Sequence, residues 1–446
     1  MSHNTNANGV AKANSNGAQA KASLANGHSV SPDAGPNGGA ALADLPLLDG
    51  QPDLHGALAA AMQVSTERGT PLTSLVTPAM LGALDAVIES PAPGAKNGFK
   101  NTPVPPLSAM PPQLLAGIRQ VDIMQSLAPL GARMKSVERE IEQLITTPVK
   151  LVADIAGHVL GAGGKRLRPA LTLLCAEVCG DQGENPAPRV VTCAALVELT
   201  HTTTLLHDDV VDSATMRRGR PAANLIWGNE TSVLVGDYLF AQVFVTASRR
   251  GIAELMHPLA HATAQMCAGE LLETQMRGFW EMSEKQYLEI VALKTGSLTE
   301  CACRMGALAV EASEEDVEAL GTYGRSIGVA FQIVDDVFDV ISSAEELGKP
   351  VGNDLREGAI TLPMLRALDN SPAQDELRDI LKKEEKSDED VLRALEIMRG
   401  GDAVEYSMQL AKDYAFAAKE QLKRFPDVAA CEMLCDIADY VLSREK

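Results

Sequence analysis

Two acidic triplets with identical spacing sit inside long apolar runs, and they limit how this chain can fold more than any other feature. Asp208, Asp209 and Asp212 form DDVVD at the end of one helix-like stretch, and Asp335, Asp336 and Asp339 form DDVFD at the end of another. On a helix the first and last carboxylates of each triplet lie one turn apart on one face. Like charges crowded near a helix's C-terminal half repel one another and oppose the dipole, so the arrangement calls for cations. A single copy reads as well as a solvated acidic helix end. Two copies flanked by Val, Leu, Ile and Phe argue instead for carboxylates facing an internal site, because a buried Asp needs a compensating charge. Magnesium is the natural partner, since it seeks oxygen and is held by few carboxylates together with water and phosphate.

Beyond Gln113 nearly every segment carries helical periodicity, with long runs at 130–145, 167–178, 189–211, 231–249, 252–278, 284–310 and 315–341 and more to 441. No convincing strand pair and no Gly-rich strand-to-helix turn interrupts them. The expected fold class is therefore all-α, about a dozen helices bundled around a central cavity. At 446 residues the chain exceeds one ordinary core. Its first part is crowded with Ala, Asn, Gly, Ser and Pro, which sets the expected boundary at Pro111 and Pro112, with 1–112 an extension and 113–446 the helical domain. The near-repetitive run ANGVAKANSNGAQAKASLANG cannot bury enough apolar surface to offset its ordering entropy, and disorder is expected there. Two short helices are expected at 54–62 and, behind Thr77 and Pro78, at 79–88.

A net charge of -20 argues against a nucleic-acid partner, because that affinity rests on clustered Lys and Arg. No apolar run reaches the length that spans a bilayer, so no transmembrane segment is expected. The eight cysteines fall mostly within helix-like stretches without zinc-knuckle spacing, which fits free thiols in a reducing cytoplasm. The first thirty-one residues lack a signal-peptide core.

Cationic groups complete the constellation. GGKRLRP brings Lys165, Arg166 and Arg168 on a glycine-led loop just ahead of a helix, where orphan amides also attract anions. Arg217 and Arg218 follow DDVVD closely enough to serve a phosphate held there, and Lys294, Thr295 and Lys349 add donors. Taken singly, each also reads as a surface group.

In the order GGKRLRP, HTTTLLHDDVVD with RRGRPAA, KTG, FQIVDDVFD and GKPVGNDLREG, these landmarks resemble the trans-polyprenyl diphosphate synthases over 113–446. The resemblance implies repeated condensation of isopentenyl diphosphate with an allylic diphosphate, giving a long all-trans product of the kind used for quinone side chains. It assigns Lys165, Arg168, His201 and Arg218 to isopentenyl diphosphate, and Arg217, Lys294, Thr295, Gln332 and Lys349 to the allylic diphosphate. Lys294 joins the six aspartates as catalytic, magnesium falls to Asp208, Asp212 and Asp335, and a homodimer is implied. One departure is Ala359, where many similar sequences carry lysine after REG. A terpene cyclase shares the first motif but usually replaces the second, and a silent subunit of a heteromeric synthase typically loses motif residues. This chain keeps both motifs.

Product length is expected to depend on Thr203 and Thr204, about one turn before Asp208, where an aromatic residue in short-chain relatives blocks the tail. Phe240 and Phe244, spaced i and i+4, are the expected floor of the tunnel.

Overall fold

A computed structural model describes residues 119–183, 185–341 and 352–444, and the backbone of 47–48 and 51–52. The extension expected over 1–112 (apart from those four backbone positions), the helices expected at 54–62 and 79–88, and Lys349 lie outside the described residues. Two units are distinguished, Met1–Lys100 and Asn101–Lys446, slightly earlier than the expected boundary. In the first, β1 (Leu47–Leu48) pairs antiparallel with β2 (Gln51–Pro52).

The second unit is helical almost throughout. It opens with α1 (Ile123–Ser126), α2 (Gly131–Ile145), α3 (Lys150–Leu160), α4 (Leu167–Val178) and the long α5 (Pro188–Val211). A hairpin of β3 (Met216–Arg217) and β4 (Arg220–Pro221) then leads to α6 (Ala223–Trp227), α7 (Asn229–Arg249) and α8 (Met256–Met276). Next come α9 (Glu284–Val291), α10 (Ser297–Ala309) and the longest helix, α11 (Glu314–Ile341). The chain closes with α12 (Asn353–Glu357), α13 (Leu362–Asn370), α14 (Gln374–Leu381), α15 (Asp388–Gly400), α16 (Ala403–Leu422) and α17 (Ala429–Ser443).

Helix α11 forms the spine, packing on α10 and α16, while α5 packs on α4, α7 and α10. Small residues make this close approach possible. A Cβ at Gly328 of α11 would lie 2.7 Å from the Gly296 Cα, so glycine is needed for the two backbones to meet. Leu173, Leu196, Leu199, Leu239, Leu298 and Tyr323 are sealed in the resulting core, and the Tyr323 hydroxyl donates to the Leu434 carbonyl at 2.7 Å.

Two expectations change. Strand pairs do occur, and the β3–β4 hairpin turns on Arg218 and Gly219, both at positive φ (49° and 76°). Arg-Gly is not the usual Asn-Gly signal of such a turn, which is why it escapes pattern reading. Among the described residues one helix, α7, is long and apolar enough to cross a membrane by length and composition alone, with a mean hydropathy of 1.2. In the fold it is a bundle helix, burying Val235, Leu239 and Val243 against its neighbours.

Candidate active site

Both acidic triplets lie where helices end. Asp208 and Asp209 occupy the last turn of α5, with Asp212 its C-cap, and the second triplet closes α11. Each therefore faces the negative end of a dipole. The two are linked through α8, whose Glu270 and Glu273 both pair with Lys294 between them, Glu270 at 2.8 Å. Lys294 and Thr295 sit in a π-helical turn, Ala292–Gly296, a local widening that recurs at functional positions. The Thr295 hydroxyl donates to Gln332 Oε1 at 2.9 Å, and Gln332 donates to Asp336 at 3.0 Å.

Acid crowding dominates the electrostatics. Burial, then Glu270, pushes Asp208 up to about 7, with Asp212 adding repulsion and Lys294 opposing it. Burial also lifts Asp336 to about 7, although hydrogen bonds from Tyr287 (2.6 Å) and Gln332 hold it back. Asp354 of GNDLREG is raised well above the carboxylate range, by burial first and then by Asp336 and Asp339. Burial would depress the Lys294 ammonium, but Glu273 and Glu270 outweigh it and hold it above its ordinary value.

Not every aspartate faces open space. Asp209, only 1% exposed, accepts from Arg217 Nε and Nη2 at 2.7 and 2.6 Å, so Arg217 serves the protein carboxylate in this state. Asp339 accepts from the backbone amides of Asn353 and Asp354, both at 3.1 Å, and caps α12. Asp335 accepts from Arg444 at 2.6 Å, and that guanidinium stacks on Phe331 at 3.7 Å. Asp212 meets Arg277 at 3.3 Å.

Next to the acidic cluster is a cavity of about 530 Å³ of opposite character. Lys165, Arg166, Arg168, His201, Arg218 and Thr295 line it, with Phe331, Tyr440 and Arg444 closing the far side. Thr295 belongs to both sites. Glu198, 3% exposed, pairs with Arg166 and lies close to Arg168 and Arg218. Burial, followed by four arginines led by Arg168, holds His201 well below its usual range, so its ring is neutral. Arg168 Nε is buried in this wall without a hydrogen-bond partner. The glycine-led loop shapes this wall, since a Cβ at Gly164 (φ +140°) would lie 2.6 Å from Arg218 Nη1.

Pattern reading missed Glu198, Glu270, Glu273, Tyr287, Asp354, Arg277 and Arg444. Glu198 carried a signal, being the lone acid in the apolar stretch before HTTTLLH. The chain-length residues divide. Thr203 is buried and donates to the Leu199 carbonyl, whereas Thr204 is half-buried on the face of Asp208. Phe240 and Phe244 touch edge to face, ring centroids 4.9 Å apart. Phe244 is nevertheless 41% exposed, so it is no buried floor, and that expectation is corrected.

The donors suit a hard cation, because every acid here offers carboxylate oxygen and Glu270 Oε1 is buried without a partner. Among the described residues no three His, Cys, Asp or Glu side chains form a ready cage. Magnesium does not require one, since it usually takes one or two carboxylates plus substrate phosphate.

The polyprenyl synthetase family profile matches residues 149–398. The chain is 37% identical over 340 residues to a nonaprenyl diphosphate synthase of Mycobacterium tuberculosis, covering 75% of this chain and 98% of that one. It is 38% identical over 313 residues to a short chain isoprenyl diphosphate synthase of Methanothermobacter thermautotrophicus, covering 69% and 95%. A crystal structure of a polyprenyl synthase from Caulobacter crescentus, complexed with calcium and isoprenyl diphosphate, superposes with a TM-score of 0.69 at 37% identity, covering 74% of this chain and 99% of that one. With this fold and these matches, the chain belongs to the polyprenyl synthetase family.

Proposed function

We propose that this protein is a magnesium-dependent all-trans polyprenyl diphosphate synthase that adds isopentenyl units repeatedly to an allylic diphosphate. The observation that carries the reading is the adjacency of two unlike anion sites sharing Thr295. One is acidic and calls for a metal, and the other is a cationic cavity of about 530 Å³.

In this reading Asp208, Asp212 and Asp335 hold magnesium, which supplies charge neutralisation to the departing diphosphate. Lys294, released from Glu270 and Glu273, and Thr295 with Gln332 orient the allylic diphosphate. Lys165, Arg168 and Arg218 fix isopentenyl diphosphate in the cationic cavity, with His201 a neutral donor or acceptor beside them. Proximity and preorganised charge carry the catalysis: the allylic C–O bond breaks, the isopentenyl double bond attacks the resulting carbocation, and a proton leaves to restore an alkene. The released diphosphate is the proton acceptor. Apolar walls such as Phe331, Ile327 and Leu171 exclude water that would quench the cation.

Family membership leaves product length open, because the relatives include a short-chain enzyme. Thr204 supports a long product, since a half-buried threonine one turn below Asp208 leaves room for a growing tail. A homodimer accords with the apolar face that α6 and α7 leave in the open, with Leu225, Ile226, Leu234 and Phe244 each more than 40% exposed. The catalytic domain of this reading is 113–446, in a reducing cytoplasm consistent with eight free thiols.

Asp208→Ala and Asp335→Ala test the two-motif arrangement. Each should cut magnesium-dependent turnover by orders of magnitude with helicity intact, and near-normal turnover in either variant would sink the reading.

A further inference from the structure

We propose that Arg277 is a diphosphate-binding residue, a cation that grips the allylic diphosphate from the mouth of the acidic site. The inference rests on the function proposed above and adds to its machinery. Arg277 leaves the end of α8 in an extended conformation (φ -55°, ψ 125°), which turns it away from the helix axis. It therefore sits one residue beyond the helix that supplies Glu270 and Glu273, four places after Glu273. Its Nη2 lies 3.3 Å from Asp212 of the first motif. The next residue, Gly278, donates its amide to the Gly358 carbonyl at 2.8 Å, tying this loop to the segment after the second motif. Arg277 thus joins the edges contributed by both acidic triplets.

Its bonding is incomplete. The contact to Asp212 is long for a charge-assisted bond, and Nε is buried with no partner. A guanidinium presents five donors in a planar fork suited to phosphate oxygens. A diphosphate arriving at Asp212 would complete that fork.

The facing edge offers no substitute cation among the described residues. Arg356, the cation of GNDLREG, pairs with Asp388 at 2.7 Å, on another helix. Ala359 lines a small cavity with Glu273, Asp336 and Asp354 and brings no charge to it. Arg277 brings a charge to this edge from one side of the Gly278–Gly358 bond, and Ala359, on the other side, brings none.

The test uses the full-length protein with magnesium and farnesyl diphosphate, without isopentenyl diphosphate, so that affinity is read without turnover. Arg277→Gln should weaken farnesyl diphosphate binding by about 10- to 100-fold, as expected for the loss of a charged hydrogen bond. In steady state KM for the allylic substrate should rise while KM for isopentenyl diphosphate stays near wild type. Adding Ala359→Lys to Arg277→Gln should recover most of the lost affinity, because it returns a cation to the same edge. Unchanged farnesyl diphosphate affinity in Arg277→Gln, equal weakening of both substrates, or a double variant no better than the single one would overturn the assignment. Wild-type elongation, measured beforehand, tests the proposed function separately.

Discussion

Asp208→Asn should make the metal-free protein more stable while destroying its chemistry. Burial, Glu270 and Asp212 raise this carboxyl from an ordinary 3.8 to about 7. At about 1.4 kcal/mol per pH unit the full displacement sets an upper bound of about 4 kcal/mol. Water at the partly open mouth and an effective dielectric near ~20 reduce this to about 1–2 kcal/mol. The sign follows from linkage. The folded state holds the Asp208 proton more tightly than the unfolded chain, so the stability associated with that proton is present below about pH 4 and is lost as pH rises through about 7. The ionised carboxylate thus costs most near pH 8, where asparagine should gain the full ~1–2 kcal/mol, and the gain should shrink steadily toward acid. Urea denaturation with chelator, at several pH values, measures it. A variant less stable than wild type near pH 8, or a gain independent of pH, would refute the crowded-carboxylate account.

Deleting 1–112 should leave helicity and turnover nearly unchanged, as circular dichroism and steady-state rates would show, because the helical unit holds every described residue of the site. Loss of solubility or rate would mean that the extension supports the catalytic domain. Thr204→Phe should shorten the product, read by chromatography of the dephosphorylated chains. Thr203→Phe should instead cost about 1–3 kcal/mol of stability, because Thr203 is buried and the larger ring overpacks the core.

Much of the fold was legible because helical periodicity is a local property. The run at 167–178 coincides with α4, and 189–211 lies within α5. The positions of both triplets at helix ends could be read for the same reason. What escaped depends on encounters between distant segments. Arg444 reaches Asp335 across more than a hundred residues, and Tyr287 reaches Asp336 from a separate helix. Neither pairing leaves a spacing to detect. The π turn at Lys294, which packs against α8 and α11, is equally silent in the spacing of its residues. Phe244 shows the opposite error, in which a correct i, i+4 contact on α7 was assigned to the interior although that face of the helix points outward.

The central claim is that paired acidic triplets beside a cationic cavity drive successive condensations to a long chain. Purified full-length protein should be incubated with labelled isopentenyl diphosphate, farnesyl diphosphate and magnesium, and the dephosphorylated products separated by reverse-phase chromatography. The account predicts a magnesium-dependent series of all-trans products extending beyond geranylgeranyl and ending at one dominant long chain. No magnesium-dependent incorporation, or a series that stops at geranylgeranyl, would contradict it.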